Sequence, residues 1–144
     1  MTARNFQIIM QNHEFLSEVK DRIGVETSDE ALSAARAVLQ TLADHLAGNA
    51  PAKLAAQLPE EIGALITEYK SDPEAEGEGF SVDEFVKRAA ERGKTQDLEI
   101  AKKHSIAVLA VMRQAISEGE FDKMRGTLPV EYDALFENGA SGIF

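Results

Sequence analysis

The stretch Leu58-Pro59-Glu60-Glu61-Ile62-Gly63-Ala64-Leu65 returns 70 positions later as Leu128-Pro129-Val130-Glu131-Tyr132-Asp133-Ala134-Leu135. Working outward at the same spacing, Ala37-Val38-Leu39 meets Ala107-Val108-Leu109, Glu14-Phe15 meets Glu84-Phe85, and Arg22 meets Arg92, so residues 13–66 fall on 83–136 without a gap. Where identity lapses, apolar still faces apolar, as Leu42 does Met112, Leu54 does Met124 and Ile66 does Phe136. A repeat kept at this resolution preserves a way of packing. The reading is an all-α fold made by tandem duplication of a unit of about four helices, packed as one bundle with pseudo-twofold symmetry.

The 144 residues suit one domain, because a unit of about 70 residues buries too little surface to be comfortably stable alone. Within that domain the first repeat spans about 5–70, an acidic linker about 71–79, the second repeat about 80–138, and a flexible tail 139–144. A composition of 44% hydrophobic and 28% charged residues belongs to an ordinary globular protein. No apolar run approaches the roughly 20 residues of a membrane span, and the amino terminus lacks the long apolar stretch of a signal peptide. The expected location is the cytoplasm, without membrane contact. The absence of cysteine excludes disulfides, thiolate catalysis and thiolate metal sites within this sequence. A net charge of −10 repels phosphate backbones, and the first 71 residues carry 6 basic and 10 acidic side chains against 9 and 15 beyond, so neither half is a basic module. No nucleic acid partner is expected.

Helical spacing of Phe6, Ile9, Met10, Leu16, Val19 and Ile23 predicts a first helix from about Asn5, closed at Gly24. Thr27 and Glu30 form a capping box before a long helix with the stripe Ala31, Ala35, Val38, Leu39, Leu42 and Leu46, broken at Gly48-Asn49. A third helix follows from about Pro51, and Pro59 opens a fourth that carries Ile62, Leu65, Ile66 and Tyr69. The acidic, turn-rich run from Lys70 to Gly79 reads as the linker. The pattern restarts with the capping pair Ser81 and Glu84 and the stop Gly93. Asp97 caps a long helix bearing Ile100, His104, Val108, Met112 and Ile116, and Ser117 to Gly119 break it. Pro129 opens the last helix, which Asn138-Gly139 ends. No run alternates with a strand's period.

These residues resemble a known family, the bacterial helical proteins grouped as domain of unknown function 2267. The likeness is carried by Phe15, Ala37-Val38-Leu39, Leu54-Ala55-Ala56-Gln57-Leu58-Pro59, Gly119-Glu120-Phe121, Leu128-Pro129 and Glu131-Tyr132-Asp133-Ala134-Leu135-Phe136, nearly the whole chain. The resemblance implies a small all-helical bacterial protein and no activity. The second copy has Thr127 where the first has Gln57, so a role of that glutamine cannot be shared by both halves.

Three sets of residues invite chemistry. Asp72, Glu74, Glu76 and Glu78 crowd four carboxylates into the linker, but the register breaks the calcium-loop pattern: with Asp72 first the twelfth residue is Asp83, and with Glu84 twelfth the first is Pro73. The segment reads as solvated and acidic. His13, His45 and His104 are the only imidazoles, none duplicated and none sharing a helix at ligand spacing, and His104 reads as a partly buried polar group on the core side. Glu61 and Glu131 are duplicated, and a pseudo-twofold axis can bring them together for acid-base or metal chemistry, although helix-start charges explain them more simply. No catalytic, cofactor-binding or metal residue is assigned, and no cofactor is expected. The function expected is a non-catalytic protein-interaction or stress-associated accessory module, with a protein partner or self-association; the rival is an enzyme or metal-dependent protein with a carboxylate and histidine site at the repeat interface.

Overall fold

The computed structural model describes residues 10–141, with the side chains of 138–141 left aside. Among the described residues there are eight α-helices and no strand. The helices are α1 (Asn12–Ile23), α2 (Ser28–His45), α3 (Ala50–Gln57), α4 (Glu60–Thr67), α5 (Val82–Arg92), α6 (Leu98–Ala115), α7 (Glu118–Arg125) and α8 (Asp133–Ser141), the last preceded by a 3₁₀ turn over Val130–Tyr132.

Local chemistry places most helix ends. The Thr27 hydroxyl accepts from Glu30 N at 3.1 Å while the Glu30 carboxylate accepts from Thr27 N at 3.2 Å, the reciprocal bonding expected of this pair. Asp97 Oδ1 accepts from the amides of Glu99 and Ile100, capping α6. At α5 only half of the expected box forms. Ser81 Oγ accepts from Glu84 N, but the Glu84 carboxylate turns to Arg88, and the free amide of Val82 is taken by Glu131 Oε1 at 3.0 Å.

Several boundaries differ from expectation. α1 starts at Asn12, because Gln11 N donates to Glu14 Oε1 and sets the helix start there; Asn5 to Ile9 lie outside the described residues. Gly24 holds the left-handed conformation with φ +75°, yet in the second half that conformation falls on Lys94, φ +60°, and not on Gly93. Lys94 stands 70 positions after Gly24 and takes up this conformation without being a glycine. The break after α6 narrows to Ile116 and Ser117, since Ser117 caps a helix that already contains Gly119. α8 passes through Asn138-Gly139 to Ser141, a glycine costing a helix about 1 kcal/mol without necessarily ending it. The tail expected over 139–144 is therefore helical at its start, and residues 142–144 lie outside the described residues.

The two long helices α2 and α6 cross at the centre. α1 packs on both, α5 packs on both, α4 lies on α2 and α3, and α8 lies on α6. One apolar cluster draws on every helix, with Phe15, Val38, Leu39, Leu42, Ile62, Phe85, Leu109, Met112, Leu135 and Phe136 shielded from water. Two hydroxyls in the core are satisfied locally, Thr41 Oγ1 by Ala37 O and Ser105 Oγ by Ala101 O, each at 2.8 Å. None of the described helices is long and apolar enough to cross a membrane.

Candidate functional site

The densest polar cluster gathers where the carboxyl end of α2 meets α5 and the segment between α4 and α5. Thr41, Asp44 and His45 are all buried near the end of α2, below the turn that ends it. Asp44 Oδ2 accepts from Arg88 Nη1 and Arg92 Nη2, each at 3.0 Å, and its Oδ1 accepts from the Tyr69 hydroxyl in a short bond. Arg92 also donates to Thr41 Oγ1 and to the Tyr69 hydroxyl, both at 2.8 Å. Arg88 spans three carboxylates: besides Asp44 it reaches Glu78 with both terminal nitrogens and Glu84 with Nε at 2.9 Å. These charge-assisted bonds hold its guanidinium ionised and pull the Glu78 carboxyl below its ordinary range. Burial, helped by the bond to Asp44, pushes the Tyr69 hydroxyl up.

Beside this cluster lies an aromatic one. The His45 ring stacks on Phe80 with centroids 3.8 Å apart, and the Arg88 guanidinium sits 4.0 Å from the same Phe80 ring. His45 Nε2 is 2.6 Å from the Tyr132 hydroxyl, which has the carbonyls of Phe80 and Ser81 as acceptors at 2.9 and 3.1 Å. The phenol has one proton to give, and which of the two groups donates across the His45–Tyr132 contact follows the imidazole tautomer. Burial lowers the imidazole from its ordinary 6.5 to about 4 against the opposing pull of the Glu78 backbone and the Asp44 charge. The ring is therefore neutral at neutral pH.

The acidic segment is bound to this cluster. Glu78 N donates to Asp44 O at 2.8 Å, Gly48 N to Ala75 O at 3.0 Å, and Lys70 Nζ to the carbonyls of Ala43 and Glu76. At Gly77 the fit is so close that an added Cβ would stand 2.1 Å from His45 O. The expected linker is exposed to solvent over most of its length and is also tied to the end of α2 as a strap. Its backbone partners are the Asp44 carbonyl in the last turn of α2 and the Gly48 amide just beyond it, which no composition reveals.

The family model for the uncharacterized conserved protein DUF2267 matches residues 12–135, which contain this whole cluster from Thr41 to Tyr132. The chain belongs to that family. No curated protein matches it.

Of the residues singled out from the sequence of this DUF2267 member, only His45 and Glu78 enter the cluster. Glu61 is exposed at the start of α4, where its backbone N donates to Asn12 Oδ1 at 2.9 Å. Glu131 is exposed in the 3₁₀ turn, its carboxylate spent on Val82 N. Glu131 thus binds the start of α5 with its carboxylate, whereas Glu61 meets Asn12 through its backbone. His13 is exposed on α1, and His104 is half-buried on α6, beside a cavity of about 210 Å³ that Ala34, Ala37 and Ala101 also line; burial lowers its imidazole. Among the described residues no three His, Asp or Glu side chains are placed to hold a metal ion. Asp72 Oδ1 accepts from Glu74 N within the strap, while Glu74 and Glu76 are exposed. Gln57 Oε1 accepts from Ser117 N at 2.9 Å, tying α3 to the start of α7; Thr127 bonds Met124 O instead, so this role belongs to one half alone.

The sequence reading gave no site role to Asp44, Arg88, Arg92, Tyr69, Phe80 or Tyr132, although Arg92, Tyr69 and Tyr132 figured in its repeat and helix patterns. One signal was present: His45 continues the apolar stripe of α2, three residues after Leu42 and seven after Val38, where an imidazole requires a buried partner.

Proposed function

We propose that the chain is a non-catalytic accessory module of the cytoplasm that binds another protein or a second copy of itself, in a stress-associated setting, and that it arose by tandem duplication about a pseudo-twofold axis within a single domain. The duplication is supported by element positions. α2 and α6 begin and end 70 residues apart, as do the starts of α1 and α5, and the left-handed residues Gly24 and Lys94 share that spacing. A bond between the segments around 12 and 61 is matched by one between 82 and 131, with donor and acceptor exchanged.

The non-catalytic reading draws on how the Asp44 cluster is used up. Asp44, Glu78, Glu84, Arg88 and Arg92 each have an opposite partner in the protein, and the Tyr69 hydroxyl is directed at Asp44. What remains for binding is apolar. Leu98 and Ile100, on the first turn of α6, are 53% and 42% exposed, where the equivalent positions in α2 are Ser28 and Glu30. That pair of exposed apolar side chains carries the proposal, since the duplicated helix start is polar in one copy and apolar in the other.

The test is sedimentation velocity over a range of concentrations, together with retention of cell proteins on the immobilised chain, for wild type and for Leu98→Asp with Ile100→Asp. Self-association or a retained partner that is lost in the variant, with the melting temperature unchanged, supports the reading. Identical behaviour of both proteins sinks it.

A further inference from the structure

α3 and α7 do not close fully on each other. Between them lies a cleft of about 220 Å³ whose floor is Leu46, Leu54 and Met124, all buried, and whose edges carry Lys53 and Lys123. A cavity of about 150 Å³ lined by apolar side chains holds benzene, so this one has room for a ring or a short chain with one substituent. Both lysines are exposed, and among the described residues neither has an ion-pair or hydrogen-bond partner, whereas Arg88, Arg92 and Arg125 are all engaged with carboxylates. The only carboxylate lining the cleft is Glu120, which leaves one net positive charge over an apolar floor in a chain of net charge −10. Two unpaired cations facing one apolar pocket are complementary to a single anionic group on an apolar body.

We propose that the cleft between α3 and α7 binds a small apolar monocarboxylate, an aromatic or short aliphatic acid, with its body on Leu46, Leu54 and Met124 and its carboxylate between Lys53 and Lys123. The volume matches a ring or short chain and is too small to hold a whole long acyl chain or peptide, and the net local charge matches a monoanion. Leu54 and Met124 stand 70 residues apart, as do Lys53 and Lys123, a correspondence the duplication explains and the inference does not need. The cavity beside His104 provides an internal contrast, since Glu30 lines it and no lysine does.

Amide NMR of the full chain, titrated with sodium benzoate and separately with benzyl alcohol, tests this. Benzoate should shift the amides of Leu54 and Met124 saturably, and benzyl alcohol, with the ring and no charge, should bind about tenfold more weakly, the loss of two modest charge contacts. Added sodium chloride should weaken benzoate alone. Lys53→Glu with Lys123→Glu, both at exposed positions, should abolish benzoate saturation while the remaining spectrum and the alcohol response stay. Equal binding of acid and alcohol, shifts centred on the His104 cavity, or unchanged benzoate binding by the double variant would each overturn the proposal.

Discussion

Leu39 and Leu109 are fully shielded in the middle of the two long helices, 70 residues apart. Leu39→Ala and Leu109→Ala should each lower stability by about 2 to 5 kcal/mol, the loss of buried methyl groups plus the cavity left behind, read from urea midpoints. His45 gives a different signature. Its folded imidazole lies at about 4 and its unfolded one near 6.5, so the unfolded chain binds the proton first as pH falls. The stability it contributes is complete above the unfolded value and drains away through the window down to the folded value. Asp44, Glu78, Arg88 and Tyr132 surround the ring, and their own titrations must be removed from the measurement. Between pH 7 and pH 5, wild type should lose about 2 kcal/mol more than His45→Gln, in which no group titrates at this position. Equal losses in the two proteins would mean that the imidazole is not held neutral.

At the scale of elements, the strap over the end of α2 behaves as structure in spite of its composition. Gly77 presses on the backbone of His45, whereas Gly79 has nothing near its missing side chain. Gly77→Ala should therefore cost about 1 to 3 kcal/mol by overpacking against backbone that cannot yield, with Gly79→Ala close to neutral as its control. The same placement governs the carboxylates. Asp72 is bonded inside the strap and Glu78 to Arg88, so Asp72, Glu74, Glu76 and Glu78 do not converge on a point. Calorimetric titration with calcium, magnesium and zinc at physiological ionic strength should show weak, salt-screened attraction only. A stoichiometric micromolar site lost on neutralising Asp72 and Glu76 would contradict this. Helix starts, by comparison, were legible in sequence, because a cap such as Thr27 with Glu30 or Asp97 works over three residues of one chain.

At the scale of the molecule, the halves are interlocked, since α1 packs on α6 as well as α2 and α5 packs on α2 as well as α6. Residues 1–71 alone should show no cooperative unfolding as a monomer, because the long helix of the half would expose the face that α5 and α6 cover. A cooperative monomeric melt of that fragment would show that each half carries its own core. Sequence by itself determined the all-helical class and most helix starts, because helical period and capping are local. The tertiary structure alone decided that Asp44, Arg88, Arg92 and Tyr69 meet, that the acidic segment is a strap, that the Glu131 carboxylate binds the start of α5, and that Lys53 and Lys123 face one cleft. Each of these depends on how far one helix is turned and shifted against another, a quantity set by the packing of the whole core and written in no single stretch of chain.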